Sequence, residues 1–267
     1  MLRPPAVAGQ FYPGRETSLR QMLDEMLPSG EEIKPALGVM SPHAGYVYSG
    51  KVAGKTFGGT VIPEKVIILG PNHHGIGHPA AVYEQGSWLT PLGAVRIAED
   101  VTAHILDECP MTAADTAAHQ YEHSLEVQVP FLQYLDPDVR IAPVCISRLT
   151  LEDLMRMGEG LALAAARCSK TPLFVASSDM THFESGAVAH HKDFLAIEKI
   201  LALDPEGLYE TVRTNCISMC GVMPTVVMLQ ALKCLGASEA ELVAYSNSGD
   251  VTGDQADVVG YAGVRIF

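Results

Sequence analysis

Positive charge is scarce in this chain: 18 Lys and Arg stand against 31 Asp and Glu, a formal net charge of −13. Such a balance repels phosphate backbones and anionic lipid surfaces, so neither nucleic acid nor a membrane surface is an expected partner. Long apolar runs are missing too. The best of them, such as residues 161–166, fall far short of the roughly 18 residues that a membrane span needs. The start, Met1-Leu2-Arg3-Pro4-Pro5, lacks the apolar stretch of a signal peptide. Six cysteines are present, but they form no CxxC pair and no framework spacing, which argues against disulfides and against a thiolate zinc site. Free thiols in a cytoplasmic protein are the expectation. Charged residues amount to only 18% and apolar ones to 48%, which implies a large interior and excludes disorder for most of the chain. No repeat, low-complexity tract or Pro/Gly/Ser linker divides it, so residues 1–267 are expected to form one domain.

Apolar residues at i, i+3, i+4 and i+7 predict a helix over residues 18–27, opened by Ser18 with Gln21 as a capping box. Thr150 predicts the start of another, running to about Arg167. Further helices are expected at 99–108, 122–135, 187–203 and 222–235. Between them, β-rich runs at 36–40, 65–69, 139–146, 173–176, 241–245 and 258–266 read as buried strands. Strands alternating with helices over the whole length predict an α/β fold with a mostly parallel central sheet flanked by helices.

Four of these strands run into polar loops: SPHAGY from Ser41, GPNHHG from Gly70, SSDMTH from Ser177 and SNSGD from Ser246. Ligands of open α/β sheets bind outside the carboxyl ends of strands, so these loops should meet at one crevice. Imidazoles from His43 and from His73 or His74, with one carboxylate, would make the two-His-one-carboxylate set of non-haem Fe(II) sites; zinc suits the same donors. Adjacent histidines do not easily point the same way, so His74 is the expected ligand and His73 the outer donor. Asp179 lies three residues before His182, where it could orient that imidazole for proton transfer; capping of the next helix is the plainer use of such a segment. His119 and His123, four apart, would share a helix face; His123 is expected to contact substrate or back a ligand, with Glu122 and Glu126 hydrogen-bonding around the crevice wall, and His119 to lie at the surface. Tyr46 and Tyr48 line the pocket or pack in the core. Gly75-Ile76-Gly77-His78-Pro79-Ala80 fits GxGxxA after a strand, yet Pro79 is a poor start for a phosphate-binding helix. Asp250, Asp254 and Asp257 read as a solvated turn.

The strings RPPAVAGQFYP from Arg3, SPHAGYVYSG, GPNHHG, EHSLEVQVPFLQ from Glu122, SSDMTHF, CGVMPTVVML from Cys220 and the segment 245–263 together resemble the Memo family across practically the whole chain. Prokaryotic members carry the name AmmeMemoRadiSam system protein B, after a radical-SAM protein and an AMMECR-type protein, which makes those two expected functional partners. The resemblance implies a fold similar to class III extradiol dioxygenases, with a non-haem metal, Fe(II) first and Cu or Zn next, in its cleft. It assigns His43 and His74 to the metal, Asp179 and His182 to the acid/base pair, and His123 to the matching EHSLE motif. Animal relatives carry a cysteine after the serine-rich turn; here that position falls on Val251, and the neighbouring Asp250 is the implied third ligand.

A metal-binding protein with a dioxygenase-like cleft, an oxidoreductase acting on a small molecule, is therefore the first expectation. A non-enzymatic protein that holds a peptide or sequesters a redox metal in the same cleft is the second. A zinc-dependent hydrolase is the third. A fold hosts many functions, so the resemblance carries the cleft further than it carries turnover.

Overall fold

The computed structural model describes residues 1–27 and 32–267. Four parallel strands lie at the centre in the order Arg140–Ile146, Lys65–Pro71, Leu173–Ser177 and Gly38–Ser41. Their apolar runs are continuous because both faces are covered. Successive side chains point to opposite faces, and the core divides accordingly. Met40, Ile67, Leu69, Val144 and Phe174 pack with Leu154, Met157 and Leu161 of helix Leu151–Ala166 and with Val226 and Val227 of helix Val222–Cys234. Val39, Val66, Ile68 and Val175 face the other way, onto Leu19 of helix Glu16–Met26, Phe57 of helix Tyr46–Gly58 and Phe131 of helix Val129–Leu135.

The sheet as a whole is mixed and counts twelve strands among the described residues. Strand Val258–Ile266 joins antiparallel to Gly38–Ser41 on one side and to Ala240–Asn247 along most of its length. The far flank is an antiparallel hairpin, Ser87–Thr90 with Gly93–Ile97, which carries too few apolar residues in period to have been expected. No described helix is long and apolar enough to cross a membrane.

Local signals fared unequally. Thr150 does cap its helix, accepting the Asp153 amide at 3.2 Å while the Asp153 carboxylate accepts the Thr150 amide. Ser18 caps nothing: the first helix opens earlier, at Glu16, with Arg15 at the cap. The expected helix 122–135 is shorter and broken, a 3-10 turn Glu126–Gln128 followed by Val129–Leu135. Pro130 fits there because the first turn of a helix needs no amide donor from it. Gly75 and Gly77, with φ of +62° and +80°, turn the chain toward strand Ala80–Val82 and open no helix, so GxGxxA is accidental.

Strand Gly38–Ser41 continues into helix Tyr46–Gly58 on one face, while Arg140–Ile146 continues into Leu151–Ala166 on the other. The chain thus parts above Ser41, Pro71 and Ser177, and a crevice opens at their carboxyl ends.

Candidate metal centre

His43 follows the strand end at Ser41 and is almost fully buried. Its ring orientation can be derived from hydrogen bonds. Gln128 Nε2 donates to the Pro42 carbonyl at 2.9 Å and to Ser177 Oγ at 2.8 Å; a carbonyl can only accept, which fixes the amide. Ser177 Oγ spends its single proton on the Ser124 carbonyl at 2.6 Å. His43 Nδ1, 2.9 Å from Ser177 Oγ, must therefore be the donor. Nε2 is left unprotonated, the form a metal requires, with the Cys220 thiol 3.2 Å away. Burial, with the neighbouring His73 adding to it, lowers the pKa of His43 to about 3, so the ring stays neutral.

His73 comes from the loop after Pro71. Glu122 takes it by both ends: Oε2 accepts the His73 amide at 2.6 Å and Oε1 accepts ring Nδ1 at 2.8 Å. Oε1 also accepts the Ser124 amide at 2.9 Å. Burial pushes the Glu122 carboxyl up, but the hydrogen bond and charge of His73 outweigh it and hold the group well below the usual range. A carboxylate on Nδ1 again leaves Nε2 unprotonated. Asn72 closes the same loop by accepting the Gly75 amide and donating to the Ile76 carbonyl, and this turn carries His74 outward. There His74 Nε2 lies 3.0 Å from the Tyr121 carbonyl. The two neighbours have exchanged the places expected of them: His73 faces the cleft and His74 stands outside it.

The third imidazole is His123, one residue past Glu122. Its ring stacks on His73 with centroids 4.6 Å apart and meets His43 edge-on at 5.5 Å. Burial lowers its pKa to about 4. His43, His73 and His123 each offer a nitrogen, and the three lie within 4.8 Å of one another. Metal–nitrogen bonds of about 2.0–2.1 Å need donors somewhat closer than that, a contraction that ring rotations supply. Phe11 packs on the outer face of His123 at 4.8 Å. Behind the trio, Arg3 and Glu126 form a buried ion pair at 2.6 Å, and Glu126 also accepts the Ala6 and Val7 amides and the Tyr12 hydroxyl. This hub presses the amino-terminal segment, Phe11 included, against the cleft. Glu122 and Glu126 are hydrogen-bond acceptors, but both lie buried behind the cleft and neither lines it. His119 is not at the surface; it is buried against Trp88 and Tyr83 in the 3-10 turn Ala117–His119.

Asp179 and His182 flank the trio without bonding to each other. Asp179 Oδ1 accepts the His43 and Ala44 amides at 2.7 and 3.2 Å, and burial raises its pKa. His182 is instead oriented by Ser218, whose carbonyl lies 3.0 Å from Nδ1 and whose hydroxyl accepts the His182 amide at 2.7 Å. Nδ1 is the donor to that carbonyl, and Nε2 is free. Cys220, which spacing arguments left as a plain thiol, brings Sγ to 3.2 Å from His43 Nε2. Burial pushes its thiol well above the ordinary value, with Asp179 adding to the effect.

Asp250 does not join the centre. Its carboxylate accepts the Asn247 amide at 3.1 Å and Gln255 Nε2 at 3.2 Å, and it lines a second cavity with Lys51 and Lys55. Tyr46 is core: its hydroxyl donates to the Val127 carbonyl at 2.8 Å. Tyr48, one turn edge further, does face the cleft, a cavity of about 570 Å³ lined also by Phe11, Phe183, Tyr261, Asp179 and Asp257. Phe183 and Asp257 carried no signal in the sequence beyond their loops.

The profile of the family described as Memo-like protein matches residues 3–265. MEMO1 family proteins of Methanopyrus kandleri and Methanosarcina barkeri are each 43% identical to the chain, over 99% of it and over 98% and 100% of their own lengths. One from Aquifex aeolicus is 42% identical over 98% of both chains. Among solved structures, an uncharacterized protein from Escherichia coli K12 superposes with a TM-score of 0.57 at 13% identity, covering 84% of this chain and 98% of that one, a likeness of fold alone. Matched from end to end and at this level of identity, the chain belongs to the Memo-like protein family.

Proposed function

We propose that this protein is a metal-dependent enzyme whose ion is held by His43, His73 and His123, and whose proton carrier is His182. The observation that carries the reading is the tautomer of the first two rings: each has Nδ1 on an internal partner, which leaves Nε2 unprotonated in the neutral ring; at His43 the Cys220 thiol rests on that nitrogen and would give way to an ion. Such outer partners raise the basicity of the ligating nitrogen and hold it in place. A metal bound there supplies Lewis acidity to a substrate oxygen or water. The protein's own part is to keep the His43 and His123 rings neutral by burial, to hold the His43 loop through Asp179, and to present His182 Nε2 to the cleft as a base. Iron, copper and zinc all accept imidazole. Since no carboxylate belongs to the trio, the argument that singled out iron loses its anchor. Three histidines plus an open position also make a catalytic zinc set, which favours metal-assisted hydrolysis as the second reading.

Anaerobic calorimetric titration with Fe(II), Cu(I) and Zn(II) tests the site. One ion per chain is expected for the wild type, lost in His43→Ala, His73→Ala and His123→Ala and retained in His74→Ala and Asp250→Ala. Equal binding by all five variants, or no binding by the wild type, overturns the proposal. Oxygen uptake with the iron form and oxygen-independent cleavage with the zinc form separate the two chemistries.

A further inference from the structure

We infer that the cleft takes a small organic ammonium ion, its charged end at the mouth among Phe183, Tyr48 and Asp257 and its other end toward the three imidazoles. The second half of this placement rests on the metal reading above; the first half does not. Four aromatic rings, Phe11, Tyr48, Phe183 and Tyr261, line the cavity together with two carboxylates, Asp179 and Asp257, and no lysine or arginine does. An anion entering it would meet no lysine or arginine and, at the mouth, the Asp257 carboxylate of its own sign. An ammonium ion meets ring faces, which attract cations, and a carboxylate.

The absence of cations is local. Across Tyr48 lies the second cavity, of about 390 Å³, and its wall carries Lys51 and Lys55. Tyr48 thus separates a recess with two lysines and Asp250 from one with no lysine or arginine. The field of a chain with a net charge of −13 favours the same choice of ligand.

Phe183 gives the second, independent observation. It sits in the short strand His182–Glu184, where the pairing with Val258 and Val259 shifts register, and its φ is +58°. Left-handed backbone is unfavourable for a residue with a bulky side chain, and positions held that way cluster at functional sites. Here the distortion yields a phenyl ring that is 77% exposed at the mouth, beside Tyr48 at 42%. Neither ring is covered by the protein. A cation laid on them makes use of surfaces that packing leaves open. A metal on the imidazoles would add positive charge at the floor, so the ammonium group belongs at the mouth, beside Asp257.

The test uses three probes that share an indole ring and differ in charge: tryptamine, tryptophol and indole-3-propionate. Their affinities are measured by calorimetry at low salt, on metal-free and on zinc-treated wild-type protein. Tryptamine is expected to bind at least about tenfold more tightly than the acid, with the alcohol between, and the gap should narrow as salt rises. Asp257→Asn should reduce the tryptamine affinity and leave tryptophol unchanged, and Phe183→Ala should weaken tryptamine more than tryptophol. Equal affinities, preference for the acid, or no binding by any probe overturns the inference. Ammonium preference without metal uptake would sink the metal reading alone; metal uptake without ammonium preference would sink this one alone.

Discussion

Two buried carboxylates back the cleft, Glu122 behind the His73 loop and Asp179 behind the His43 loop, and their acidities shift in opposite directions. Glu122 divides its bonds between both oxygens: a ring nitrogen and an amide on Oε1, another amide on Oε2. With three donors spread over both oxygens and the charge of His73 beside them, the lowering outweighs burial. Asp179 spends Oδ1 on two amides, and Oδ2 meets no hydrogen-bond donor among the described residues. Burial wins there and raises the pKa. Donors on both oxygens and a neighbouring charge reverse at Glu122 the shift that burial sets at Asp179.

The sharpest way to break this comparison is to replace each acid by its amide. Glu122→Gln must turn an NH2 toward either an amide or the His73 ring, so two donors meet; a loss of about 2–3 kcal/mol in unfolding free energy is expected from urea titration. Asp179→Asn keeps its accepting oxygen on the His43 and Ala44 amides and should stay within about 1 kcal/mol of the wild type. A large loss in the second variant, or none in the first, would show that donor count is the wrong criterion.

Smaller, but opposite in sign, are the pH effects in the metal-free protein. The stability lent by Glu122 is complete above the ordinary glutamate range and is lost as pH falls through its lower folded value. Acid unfolding should therefore be less steep in Glu122→Gln than in the wild type. Asp179 holds its proton more firmly folded than unfolded, so its contribution is present at low pH and lost as pH rises through its raised value. Asp179→Asn should remove that decline, which stability curves taken upward from about pH 4 would show. Ser177→Ala leaves the His43 ring proton, one Gln128 amide hydrogen and the Ser124 carbonyl without their shared partner, and a loss of about 1–2 kcal/mol is expected. Nitrogen chemical shifts of His43 are the readout: a single tautomer in the wild type, with Nδ1 protonated, and a mixture in the variant.

Much of this arrangement was legible in the sequence, for identifiable reasons. Loops after buried strands must gather at one sheet edge, so His43, Asp179 and His182 were found by position alone. His73 and His74 were confused because the choice between them rests on Glu122, about fifty residues away, and on the Asn72 turn, neither of which adjacency reveals. His123 looked like part of a helix that Pro130 in fact delays. Asp250 was implied by a neighbouring position in animal relatives, but its own amide contacts turn it into the next cavity. Cys220 reaches the site from a distant helix start, and nothing in a CGVMP string says where its sulfur will point.

The run from Gln128 through Ser177 to Ser124 has a direction, since every link in it passes its hydrogen one way. Only if Ser177 Oγ turned its one hydrogen from the Ser124 carbonyl to the ring would the lone pair of His43 move to Nδ1. Were an ion held in the cleft as proposed, its hold would then depend on a serine that never meets it, and on the glutamine whose amide helps keep that serine an acceptor.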